Sequence, residues 1–121
     1  MQETFLEKRR HPRLEKQIPL KIQKEGFDIA AESRNISSSG VYFNVKNQIE
    51  PMTKLKVELI LPIKKDLETI TKIIKCSGVV VRTEKENDTS YNIAVYFSHI
   101  SEADTKKIAE YVNQHISANA A

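Results

Sequence analysis

The sequence predicts an all-β domain closed by one C-terminal helix, and three observations carry that reading. Apolar residues alternate with polar ones over most of residues 17–97, which is the period of strands with one buried and one wet face, and hence of antiparallel pairing. Gly26, Pro62 and Ser77–Gly78 punctuate the alternation, as turn and bend residues do. After Phe97 the period lengthens to that of an amphipathic helix. A chain of 121 residues, 40% of them hydrophobic, suits one domain with one modest core.

Ile18, Leu20 and Ile22 make the first alternating set, and Phe27, Ile29 and Ala31 the second, with Gly26 turning the chain between them. Val41, Phe43 and Val45 follow; Leu55, Val57, Leu59 and Leu61 form a fourth set ended by Pro62. Ile70–Val81 is a longer stretch rich in β-branched residues, with a bend or bulge expected at Ser77–Gly78. Tyr91, Ile93, Val95 and Phe97 complete the pattern. Six strands in this span fit a barrel or a sandwich. Closure into a barrel removes exposed edges and suits a core this small.

Ser101-Glu102-Ala103-Asp104 reads as an N-cap followed by an acidic first turn. Ile108, Tyr111/Val112 and His115/Ile116 then recur at helical spacing. The helix is expected to lie across the sheet or an open barrel end. The chain divides into a flexible N-terminus over 1–7, in which Phe5 and Leu6 dock weakly, a basic arm over 8–16, strands over 17–97, a helix over 101–116 and a frayed tail over 117–121.

Charge placement separates the function classes. The net charge is +3. Residues 1–24 hold seven basic and three acidic residues, so the positive excess is N-terminal and densest over Lys8–Arg13. A general nucleic-acid binder spreads its charge along a face to follow many phosphates. Charge packed into six residues favours a small anionic ligand instead. The aromatic content of 7%, with no Trp, supplies few stacking platforms for single strands.

The one cysteine, Cys76, excludes an internal disulfide and reads as a small core residue. His11, His99 and His115 have no companions at metal-ligand spacing. GxGxxG, P-loop and GxSxG motifs are absent. We therefore expect a binding module with no cofactor and no metal, rather than an enzyme. No apolar stretch is long enough to span a bilayer, and MQETFLEKRR has no apolar core before its charges. A cytoplasmic domain without membrane insertion is the expectation.

Two short segments carry recognition chemistry. In Arg9-Arg10-His11-Pro12-Arg13, Pro12 disfavours the α region for His11. An extended arm would set Arg9 and Arg13 roughly a dozen ångströms apart, able to reach two sides of one ligand. The guanidinium fork can bond phosphate or the O6/N7 edge of guanine bidentately, or stack on a purine. Read alone, this stretch is equally a solvated basic tail. In Asn35-Ile36-Ser37-Ser38-Ser39-Gly40, Asn35 and Ser37 flank Ile36 and share a face when extended, with Ile36 turned into the core. Asn35 and Ser37 offer donors and acceptors suited to a purine edge or a phosphate. Gly40 is expected either to take positive φ or to let a ligand approach closely. Read alone, this is an ordinary polar turn.

Taken together, an N-terminal RxxxR, about twenty residues of strand and then [D/N]xSxxG resemble the PilZ domain family. Arg9 and Arg13 match its fixed arginines, and Asn35 to Gly40 match its second motif. Gly78–Arg82 and Tyr91–Phe97 are similar to its late strands, so the resemblance runs over roughly 8–116. It implies a six-stranded antiparallel β-barrel with a C-terminal α-helix. It also implies a receptor for cyclic di-GMP that regulates an effector protein. By carry-over, Arg9 and Arg13 grip phosphates and guanines with Arg10 assisting, Asn35 and Ser37 meet a guanine edge, and Gly40 gives clearance. Asn35 stands where many members have Asp, and Ser39 where a second Gly is frequent. The competing readings are a PilZ-fold protein adaptor that binds no ligand and a small barrel for single-stranded nucleic acid.

Overall fold

The computed structural model describes residues 13–24 and 26–120, so the expectations for 1–7 and for most of the basic arm lie outside the described residues. Six strands form: β1 (Pro19–Lys24), β2 (Phe27–Ser37), β3 (Gly40–Val45), β4 (Lys54–Lys65), β5 (Glu68–Asn87) and β6 (Ser90–His99). One helix, α1 (Glu102–Ala120), follows. Every strand pairing is antiparallel, and the sheet closes on itself in the order β1-β2-β3-β6-β5-β4. The expected barrel is therefore the observed architecture, and closure leaves the sheet without a full-length free edge.

Alternation sets which side chains fill the barrel. Leu20 and Ile22, Val41, Phe43 and Val45, five β4 residues from Leu55 to Ile63, and Ile93, Val95 and Phe97 are all buried. Between them the intervening residues stand partly or wholly exposed. The helix stoppers the barrel with Ile108, Tyr111 and Val112, all buried. Its start is capped as expected, with the Asp104 N–H donating to Ser101 Oγ at 3.0 Å.

The tight connections follow their chemistry. Gly26 has φ +91°, a conformation that L side chains rarely adopt, and it turns β1 into β2. The expected bulge is present: the β5–β6 register shifts between Ser77 and Gly78, while β5 runs through it as one strand.

Two boundaries differ from expectation. β4 continues past Pro62 to Lys65. Beyond Leu59, β4 has lost its β1 neighbour and pairs only with β5, so a residue without an N–H is tolerated there. Burial of Leu61 and Ile63 on either side carries the strand on. The helix backbone also continues through Ser117–Ala120, where a frayed tail was expected after 116. No Gly or Pro interrupts that stretch, and alanine is the strongest helix former.

Candidate functional site

The segment before β1 is fastened to β2 at two points. Leu14 is buried and forms an isolated antiparallel bridge with Ile36: Leu14 N–H donates to Ile36 O at 2.8 Å, and Ile36 N–H donates to Leu14 O at 2.9 Å. Further along, the buried Ser33 accepts from Ile18 N–H through its hydroxyl at 3.0 Å and donates that hydroxyl to Lys16 O. Ser33 N–H returns a bond to Ile18 O at 3.0 Å. An otherwise irregular segment is thus held by buried hydrogen bonds whose loss would leave unsatisfied polar groups.

This docking decides where Arg13 lies. Its neighbour Leu14 is paired with Ile36, the residue between Asn35 and Ser37, so Arg13 is delivered to the wall that carries both. Arg13, Asn35, Ser37, Ser39 and Gly40 line one open concavity of about 330 Å³. Arg13 is exposed, Asn35 is half-buried and Ser37 is buried. Arg9 and Arg10 lie outside the described residues.

Local structure explains each position. A register shift between Ser33 and Asn35 marks an irregularity in β2 at Arg34, and Ile36 beyond it is fully buried, as the alternation required. Ser37 is not a wholly free ligand group. Its Oγ accepts from Ser39 N–H at 3.2 Å and lies 3.0 Å from Ser39 Oγ, which steadies the two-residue turn into β3. Positive φ at Gly40 is the one of its two expectations that the structure corrects. Its φ lies outside the left-handed region, and a Cβ there would strike the backbone oxygen of Val95 on β6. The close approach is between two strands, with Gly40 opposite Tyr96 in the register.

The concavity also contains residues that the sequence reading did not single out. Tyr42, Arg82 and Tyr96 complete its lining with Val81, Val41, Ala94 and Val95. Arg82 lies over the Tyr42 ring, 5.7 Å from its centroid, and 3.5 Å from Glu84 through Nε. Tyr42 OH donates to Glu84 at 3.1 Å. Burial, with that bond, raises the Tyr42 phenol above its usual range. The Arg82–Glu84 pair is exposed and hence weak, so an anion can compete for the guanidinium. Two arginines, two tyrosines and an amide around one concavity can hold phosphate and stack or hydrogen-bond a purine.

A second polar cluster flanks this wall. Arg34 grips Glu86 bidentately at 2.6 and 2.9 Å. Asn92 Nδ2 donates to Glu86 at 3.1 Å, and Asn44 Nδ2 to both Asn92 and Glu86, at 2.9 and 3.3 Å. Arg34 is thereby committed to Glu86. Burial, with the nearby Asp104 charge, pushes the Cys76 thiol up to about 11, away from nucleophile character. Among the described residues no group of three or more His, Cys, Asp and Glu is placed to hold a metal ion, and no helix is long and apolar enough to cross a membrane.

The fold and site define a small closed β-barrel stoppered by a helix, with a concave polar wall beside a docked N-terminal segment. The family model of the PilZ domain matches residues 7–114, and the chain belongs to that family. Solved structures share the fold. The Bacillus subtilis inhibitor of motility (MotI/DgrA) superposes with a TM-score of 0.78 at 20% identity, over 90% of this chain and 51% of that one. The K. pneumonia MrkH–c-di-GMP complex gives a TM-score of 0.64 at 18% identity, over 92% and 52%. The PilZ domain with c-di-GMP of YcgR from Escherichia coli gives 0.60 at 8% identity, over 92% and 95%. The chain spans about half the length of the first two. At these identities the likeness carries the fold. No curated protein matches the chain.

Proposed function

We propose that this chain is a cyclic di-GMP receptor that passes the signal to a partner protein from the cytoplasm, without catalysis and without a metal. The observation that carries the reading is the Leu14–Ile36 bridge, which brings Arg13 of the first motif to the same concavity as Asn35, Ser37 and Gly40 of the second. Arg13 bonds phosphate and guanine there, and Asn35 meets a guanine edge. Arg9 and Arg10 complete the cationic side from outside the described residues. Tyr42 and Tyr96 offer faces for a purine, and Arg82 leaves Glu84 for a phosphate. The ligand neutralises the mutual repulsion of Lys8, Arg9, Arg10 and Arg13. Ligand contact changes the surface around Arg13, and that surface is what the partner reads, in control of motility, exopolysaccharide production or adhesion. Support comes also from family membership and from two neighbours whose structures contain c-di-GMP.

The test is calorimetric titration with cyclic di-GMP beside cyclic di-AMP, GTP and a short oligonucleotide. Saturation by the first alone is expected. Length-dependent oligonucleotide binding with a steep salt slope would assign a polymer binder instead, and binding of none of the four would leave a protein adaptor.

A further inference from the structure

We infer that the outer wall of β4 and the first half of β5 is a docking face for an acidic protein segment with an apolar anchor. The inference deepens the receptor reading by naming its output surface, but it stands on the wall residues alone.

The face follows from register. Leu55, Val57, Leu59, Leu61 and Ile63 are buried, so the residues between them point outward. Partners across an antiparallel pair share a face. Ile60 is opposite Ile73, and the two are 37% and 52% exposed, an apolar pair on the solvent side of a closed barrel. Towards one end, Lys75 is opposite Glu58, and Lys56 opposite Ser77; towards the other stands Lys64. β1 adds Lys21 beside Glu58. All four lysines are exposed, and among the described residues none of them forms an ion pair. Among the described residues Arg34, Arg82, Lys85, Lys106 and Lys107 have carboxylate partners, whereas the exposed Arg13, Lys16, Lys46, Lys54 and Lys65 form no ion pair either, so what marks this wall is that its lysines flank an exposed apolar pair. A concavity of about 430 Å³ opens beside Lys56 and Lys75 and includes His99 and Gln23. This wall belongs to β1, β4 and the first half of β5, whereas the concavity lies on β2, β3, β6 and the second half of β5.

Charge complementarity selects the occupant. Unpaired lysines around an apolar pair match carboxylates around one or two aliphatic side chains, the arrangement of a polar rim about an apolar centre. A bilayer is a poorer match. The one fully projecting aliphatic side chain at this end, Leu67, sits between Asp66 and Glu68, which an anionic headgroup layer repels. Single-stranded nucleic acid would need aromatic platforms, and this wall has none among its outward residues.

The experiment uses the full isotopically labelled chain and follows amide shifts. The probe is a synthetic peptide of glutamates around two leucines. Controls are the same peptide with lysines for glutamates, phosphatidylcholine–phosphatidylserine vesicles and an oligothymidylate. Saturable shifts confined to Lys21, Lys56–Lys64 and Thr71–Ser77 are expected with the acidic peptide alone. The doubly substituted Lys56→Glu/Lys75→Glu chain should bind it about tenfold more weakly or worse, and Ile60→Ser/Ile73→Ser should also weaken it. Cyclic di-GMP affinity should be unchanged in both variants, and a matching thermal midpoint shows that each folds. Shifts centred on Arg13, unaltered binding by the Lys56→Glu/Lys75→Glu chain, no saturation, or stronger binding to vesicles or oligothymidylate would overturn the inference. Loss of nucleotide binding in the unsubstituted chain would instead sink only the receptor reading.

Discussion

Leu14 and Ile36 exchange both of their backbone hydrogen bonds, at 2.8 and 2.9 Å, and this reciprocal pair joins the N-terminal segment to the strand that carries Asn35 and Ser37. It brings Arg13, the last residue of the first motif, to the wall that carries the second.

Arg13→Ala is expected to weaken cyclic di-GMP binding by about 2–5 kcal/mol, the range for truncating one member of a hydrogen-bonded charge pair that the bound ligand buries. Arg9→Ala should cost a similar amount. Calorimetry on the two variants checks this, and unchanged affinity in both would remove the arginine assignment.

Ser33→Ala deletes the hydroxyl that bridges Ile18 N–H and Lys16 O. Leaving those groups unpaired in a buried place should destabilise the domain by about 1–3 kcal/mol. Urea denaturation reads the change. The variant should also bind ligand more weakly, because the segment bearing Arg13 is held less firmly.

Gly40→Ala separates packing from ligand clearance. A methyl group there meets the Val95 carbonyl oxygen, so β3 and β6 must move apart. The expected loss is about 1–3 kcal/mol, the cost of overpacking, in the absence of any ligand. Unchanged thermal stability would return Gly40 to the role of making room for ligand.

The Arg34–Glu86 pair gives a pH dependence. Hydrogen bonds from Arg34, then from Asn92, hold the Glu86 carboxyl below the usual carboxylate range. A carboxyl whose folded-state pKa is depressed stabilises the fold above its unfolded-state value, about 4.3. That contribution disappears as pH falls through the folded-state value. Glu86→Gln should therefore be less stable than the parent chain at neutral pH, with the gap closing in acid. The effect is small because the pair is exposed. Thermal midpoints of the two chains across the acid range measure it, and a gap constant with pH would contradict it.

Much of this was legible in the sequence because period-two alternation is a local property. Phe43, Leu59 and Ile93 could be placed inward from spacing alone, and so could Ile36, which fixed Asn35 and Ser37 to one face. The rest depended on pairing. Pro62 is tolerated because β4 has a single neighbour there, a fact of barrel closure. Gly40 is required by Val95, fifty-five positions away in the chain, and no local signal reports that approach. Tyr42, Arg82 and Tyr96 reach the site through register, since Tyr42 and Arg82 both pair with Ala94. The available signal was their outward place in alternating strands, as for the exposed Tyr96 between buried Val95 and Phe97.

The central claim is that the docked segment and the second motif hold one ligand between them. Amide-shift mapping of the labelled chain during titration with cyclic di-GMP tests it most directly. Saturable shifts should cluster at Arg13–Leu14, at Asn35–Gly40 and at Arg82 and Tyr96. Saturable shifts gathered instead around Tyr111 and His115, beside the separate concavity of about 600 Å³ at the helix, would contradict it.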